Sequence, residues 1–177
     1  LDGTDYVIID PGIAHPCAAL WVRVCKPERR EVRPGIWEDQ SDLWLFGEYY
    51  RRGETDVTKH VAEIKAMNLA LGSKPVSYYI DAWYGGKSLE HSGGEPRTVM
   101  DVWRQSGLEV KPTSTKREMD KIVRFRRTER FVKLADREFP NIYAVKPMPH
   151  FNRELYKYVV SGLVDPHIKS NEKRQAR

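Results

Sequence analysis

Two aspartates stand where apolar runs stop. Asp10 closes YVIID and is followed by Pro-Gly, and Asp81 closes VSYYID. Taken alone, Asp-Pro-Gly is turn chemistry: proline fixes φ and glycine accepts unusual angles. A pair of carboxylates, each at the tip of a rigid strand, offers more. Brought side by side they repel unless one is protonated or a cation lies between them. Oxygen donors of this kind suit a hard divalent ion such as Mg²⁺ or Mn²⁺. Two such ions about 3.5–4 Å apart activate water on one side of a phosphodiester and stabilise the leaving oxygen on the other.

Other chemistry-bearing residues point less clearly. Glu48 lies in FGEYY, near the end of the third strand, and strand alternation allows it to face either the acidic edge or solvent. GGKS, residues 85–88, resembles the end of a phosphate loop, but G-x-x-x-x-G-K-[ST] needs glycine where Asp81 stands. His15, His60, His91, His150 and His167 show no metal-ligand spacing, and His60 is expected on the exposed side of a helix. Cys17 and Cys25 form no C-x-x-C pair or disulfide framework and read as small core residues of a chain in a reducing compartment. Lys116, Arg117, Lys121, Arg124 and Arg127 lie in the basic stretch KREMDKIVRFRRTERFVK, and Lys87 lies in a Gly-rich loop. They form either a solvated face or a surface that grips phosphates.

The elements that must position these residues follow from period and punctuation. Residues 6–10, 15–24 and 42–50 are rich in β-branched and aromatic residues and predict three strands of an antiparallel meander. The intervening KPERREVRPGIWEDQS is polar and reads as a loop. In TDVTKHVAEIKAM, Val57, Val61, Ile64 and Met67 recur at helical spacing, with Thr55 or Asp56 as N-cap. Strand 76–81 follows, so strand, helix and strand make a crossover that places it parallel to the first strand. The aspartates then meet at one edge of the sheet, where α/β proteins build their sites. RTVMDVWRQSG predicts a helix with Val99, Val102 and Trp103 inward and Gly107 as its C′ residue. LEVKPTS is extended, residues 118–139 are the longest helical pattern, NIYAVKP is a last strand and HFNRELYKYV a last helix. This order predicts an α/β fold with a mixed sheet and helices on both faces, not a doubly wound nucleotide fold.

A chain of 177 residues suits one domain, with residues 161–177 as a basic tail. The net charge of +5 permits a polyanionic partner. No apolar stretch approaches the roughly 20 residues of a membrane span. There is no signal-peptide pattern, and the abrupt entry into a strand suggests a piece of a longer chain.

The ordered segments VIIDPGIAHPCAALWVRV, LWLFGEYYRRGETDVTKHVAEIKAM, VSYYIDAWYGG and NIYAVKPMPHFNRELYKYV resemble the C-terminal nuclease domain of phage large terminase subunits. The resemblance implies an RNase H-like fold and a Mg²⁺- or Mn²⁺-dependent endonuclease, using two ions, that cuts concatemeric double-stranded viral DNA. It also implies a host-cytoplasmic protein with an upstream ATPase domain, working with a portal and a small terminase subunit. Asp10 and Asp81 match the family's first- and fourth-strand metal ligands. A further family aspartate belongs on a C-terminal helix. Here either Asp165, in SGLVDPHIK, substitutes for it, or that helix lies past Arg177. Two alternatives stay open: another RNase H-like nuclease such as a junction resolvase, and a non-catalytic module that binds DNA or a capsid partner.

Overall fold

The computed structural model describes residues 2–12, 16–81, 86, 88–89, 97–113, 142–145 and 148–153. Two compact units are present, Leu1–Lys146 and Pro147–Arg177. In the first, chain order gives β1 (Gly3–Asp10), β2 (Cys17–Cys25), β3 (Glu28–Arg33), β4 (Ile36–Gln40), β5 (Leu43–Arg51), α1 (Val57–Ala70) and β6 (Ser77–Ile80). β7 (Ser88–Leu89), β8 (Arg97–Thr98), α2 (Val99–Gln105), β9 (Val110–Pro112) and β10 (Ile142–Ala144) follow. In the second unit, residues 149–153 are helical, and Asn152 donates its backbone N–H to the Met148 carbonyl at 2.8 Å.

The architecture is α/β around a six-stranded mixed sheet of order β10-β5-β2-β1-β6-β9. β2 is antiparallel to both β1 and β5, whereas β1–β6, β6–β9 and β5–β10 are parallel. Every strand but β2 therefore runs the same way, and five strands finish at one edge. The meander and the parallel return through α1 follow the expectation from sequence.

One face of the sheet carries α1 and α2. Val7, Ile9, Cys17, Ala19, Trp21, Tyr49 and Ile80 from the strands pack with Val61, Ile64, Val99 and Trp103 from the helices. α1 begins at Asp56, whose side chain accepts from the Thr58 N–H at 2.9 Å and so satisfies an orphan donor. α2 begins with a reciprocal capping box between Thr98 and Asp101 and ends at Ser106, with Gly107 at φ +89° as the C′ residue. At Gly47 a Cβ would lie 2.5 Å from Leu71 Cδ1, so glycine lets the end of α1 close onto β5.

Buried polar groups fix the register. Trp21 Nε1 donates to Asn68 Oδ1 at 2.7 Å, and Asn68 Nδ2 donates to the Tyr78 hydroxyl at 2.7 Å, joining β2, α1 and β6. At the opposite end of the sheet from the candidate site, Asp5 is 7% exposed and takes Arg23 Nε at 2.6 Å and Nη2 at 2.9 Å. Ser73 Oγ adds a third bond at 2.8 Å. The Arg23 guanidinium foremost, with Ser73 in support, holds the Asp5 carboxyl below the usual carboxylate range against the opposing effect of burial.

Two readings are corrected. The polar segment after β2 is not a loop but a separate two-stranded ribbon, β3–β4, in which Arg29 faces Asp39 and Arg30 faces Glu38. Arg30 anchors the ribbon's root by donating to both Asp42 oxygens at 2.8 Å, and it also donates to Glu28 at 2.9 Å. His60 is not exposed: it is 2% accessible and its ring stacks on Trp103.

Candidate functional site

The site is built at the edge where β1 and β6 end. Their parallel register runs Val7–Tyr78, Ile8–Tyr79 and Ile9–Ile80. The next step brings Asp10 beside Asp81, and the Asp81 N–H donates to the Ile9 carbonyl at 3.2 Å, which carries the ladder to this pair. Neighbouring strands lie about 4.8 Å apart, so the two carboxylates spring from adjacent backbone positions. Asp10 is exposed and Asp81 is half-buried. Val7, Ile9 and Ile80 point into the helix-covered core, so Asp10, two residues from Ile8, belongs to the other face.

Why the chain folds this way here is local chemistry. Val7 and Ile9 are fully buried and β-branched, which holds β1 extended up to its last residue. Pro11 then removes a ladder donor, and Gly12 takes φ +42°, so β1 stops at Asp10. Both aspartates thus sit on backbone fixed by the core.

Glu48 shares the face of Asp10, because Glu48 pairs with Leu20 and Leu20 with Ile8. It stands two strands away, however, about 9.6 Å across, and two residues, about 6.8 Å, along the strand direction from Asp10. Among the described residues no group of three or more His, Cys, Asp or Glu side chains could hold a metal ion. The structure therefore brings Asp10 and Asp81 together and leaves Glu48 apart. Asp165, Lys87, Lys116, Arg117, Lys121, Arg124 and Arg127 lie outside the described residues.

Beneath this edge, on the core side, lies a polar group absent from the sequence expectations. His60 Nε2 is 3.1 Å from the Glu54 carbonyl, which can only accept, so that nitrogen carries the proton. His60 Nδ1 then accepts from the Tyr49 hydroxyl at 2.7 Å. Burial pushes the Tyr49 hydroxyl up, and Glu63 pushes it the same way. Glu63 is in turn paired with Arg51 at 2.5 Å, which holds its carboxyl below the ordinary range. The available signal for His60 was spacing: it falls three residues after Val57 and four before Ile64, on the apolar stripe.

Cys17 is fully buried at the same edge. Burial first, then the charges of Asp10 and Glu63, push its thiol up to about 12. The thiol is inert at neutral pH, which fits a core role.

No family model matches this chain, and neither the curated proteins nor the solved structures contain a match to it.

Proposed function

We propose that the chain is a metal-dependent DNA endonuclease domain of RNase H-like fold, related to the nuclease domain of phage large terminase subunits. The observation that carries this reading is the juxtaposition of Asp10 and Asp81 at the ends of adjacent parallel strands. The sheet order lends support: three strands in antiparallel sequence, β5-β2-β1, are extended by the parallel β6 and β9.

The donor set fits a hard cation. Two carboxylates at adjacent strand ends are the oxygen donors a hard divalent ion takes, and such an ion completes its shell with water and phosphate oxygens. Asp10 and Asp81 would hold Mg²⁺ or Mn²⁺, and such an ion supplies charge neutralisation and water activation at a phosphodiester. The chain's own contribution is positional. The β1–β6 ladder fixes the spacing of the carboxylates, and the buried side chains of Val7, Ile9 and Ile80 keep that ladder from shifting. Asp165 is the candidate third ligand, and Lys87, Lys116, Arg117, Lys121, Arg124 and Arg127 are the candidate backbone contacts.

Supercoiled plasmid incubated with the chain and Mg²⁺ or Mn²⁺ tests the reading. Nicking by the wild type that disappears in Asp10→Ala is expected. Equal cutting by the mutant removes Asp10 from the mechanism. A strong preference for branched over linear duplex would turn the assignment toward a junction resolvase.

A further inference from the structure

We infer that Arg52, carried over the ring of Tyr50, grips the nucleic-acid backbone beside the Asp10–Asp81 pair. This rests on the endonuclease reading and assigns that site a second anchoring point on its substrate. Arg52 follows β5 at the edge where β1 and β6 also end, because these three strands run the same way. The register Tyr50–Ala18–Asp10 places Tyr50 on the face of Asp10, with β2 between them. Ala18 occupies that intervening position with a single methyl group, so the floor between the tyrosine and the carboxylate is low.

The spacing decides what Arg52 can hold. Two strand separations are about 9.6 Å, too far for Tyr50 and Asp10 to engage one phosphate. Successive phosphates of a B-DNA strand rise about 3.4 Å along the axis and also wind around it, so their separation in space is well above the rise and a gap of about 9.6 Å reaches only a near neighbour on the strand. Arg52 therefore takes a phosphate flanking the one at the carboxylates.

The chemistry separates Arg52 from its neighbour. Arg51 is held by Glu63, whereas Arg52 is exposed and has no carboxylate partner among the described residues. Its guanidinium carbon lies 5.9 Å from the Tyr50 ring centroid. That contact orders a long side chain and keeps its planar donors available for a phosphate.

The test measures binding without cutting, in the Asp10→Asn chain, by fluorescence anisotropy of a short labelled duplex across a salt series. Adding Arg52→Ala is expected to weaken binding about tenfold and to lower the log–log salt slope by about 0.9, the loss of one phosphate contact. Arg52→Lys restores most of the slope. Arg29→Ala, an equally exposed arginine on the β3–β4 ribbon, controls for net charge and leaves the slope unchanged. An unaltered slope in Arg52→Ala, an equal loss in Arg29→Ala, or no saturable binding of the duplex each overturns the inference. The two proposals fail separately. A chain that never nicks but loses slope with Arg52→Ala keeps the grip and loses the nuclease; one that nicks with an unchanged slope does the reverse.

Discussion

The central strand β1 carries an acid near each end, and the two are treated in opposite ways. Asp5 is 7% exposed, receives both arms of Arg23 and the hydroxyl of Ser73, and its carbonyl accepts from the Val76 N–H at 3.0 Å. Asp10, five residues on, is exposed and stands beside a second acid, Asp81. The Asp5 carboxylate is buried against Arg23 and Ser73; Asp10 stands exposed at the edge where five strands finish, next in register to a second acid. A buried acid with its donors satisfied stabilises a structure. Two acids brought together on rigid backbone oppose each other, and a cation between them relieves the repulsion. The contrast separates a structural carboxylate from a candidate functional one within a single strand.

The comparison breaks most visibly at the functional end. Asp81→Asn should lower metal-dependent cleavage about 10²- to 10³-fold, since a ligated cation supplies several kcal/mol of transition-state stabilisation. The same change should move Tm by less than about 2 °C, since Asn keeps the side chain's volume and removes a like charge beside Asp10. Cleavage assays and thermal melting of one preparation read both. A large loss of Tm would put Asp81 in the structural class with Asp5.

At the other end the pattern inverts. Asp5→Asn leaves Arg23 without its ionic partner and should cost about 3 kcal/mol, the low end for a broken buried pair because Arg23 is 31% exposed. For a chain of this size that is a fall in Tm of roughly 6–12 °C. Because the Asp5 carboxyl is depressed in the fold, its contribution is fully present above the unfolded value of about 3.9 and is lost as pH falls through the lower folded value. Melting curves of wild type and Asp5→Asn should therefore converge only in acid well below pH 4. Convergence near neutrality would contradict the ion-pair account.

A smaller effect is expected at Asn68. Asn68→Ala leaves Trp21 Nε1 without its acceptor and the Tyr78 hydroxyl without its donor. Denaturant unfolding should show a loss of about 2 kcal/mol. A loss near zero would mean that packing alone fixes the register of β2, α1 and β6.

Much of this was legible from residue order. β-branched runs ending in Asp10 and Asp81, separated by a capped amphipathic helix, dictated the parallel pairing of β1 with β6 and hence the meeting of the two acids. Two helix ends were equally readable, because Asp56 and Gly107 have specific capping chemistry. Three features were not. The β3–β4 ribbon carries charge where strands usually carry apolar residues, and the ion pairs of Arg30 with Asp42 and Glu28 that anchor it appear only in the fold. His60 read as solvent-facing because a polar residue on an apolar stripe needs partners, and Tyr49 comes from another element. Glu48 could be assigned to a face only after the β2–β5 register placed it with Ile8 and Asp10 but two strands away.

The central claim is that Asp10 and Asp81 share a hard cation, and calorimetric titration with Mn²⁺ tests it most directly. Saturable binding by the wild-type chain, lost in both Asp10→Asn and Asp81→Asn and retained in Glu48→Gln, is the predicted result. Binding that survives either aspartate substitution unchanged would contradict it.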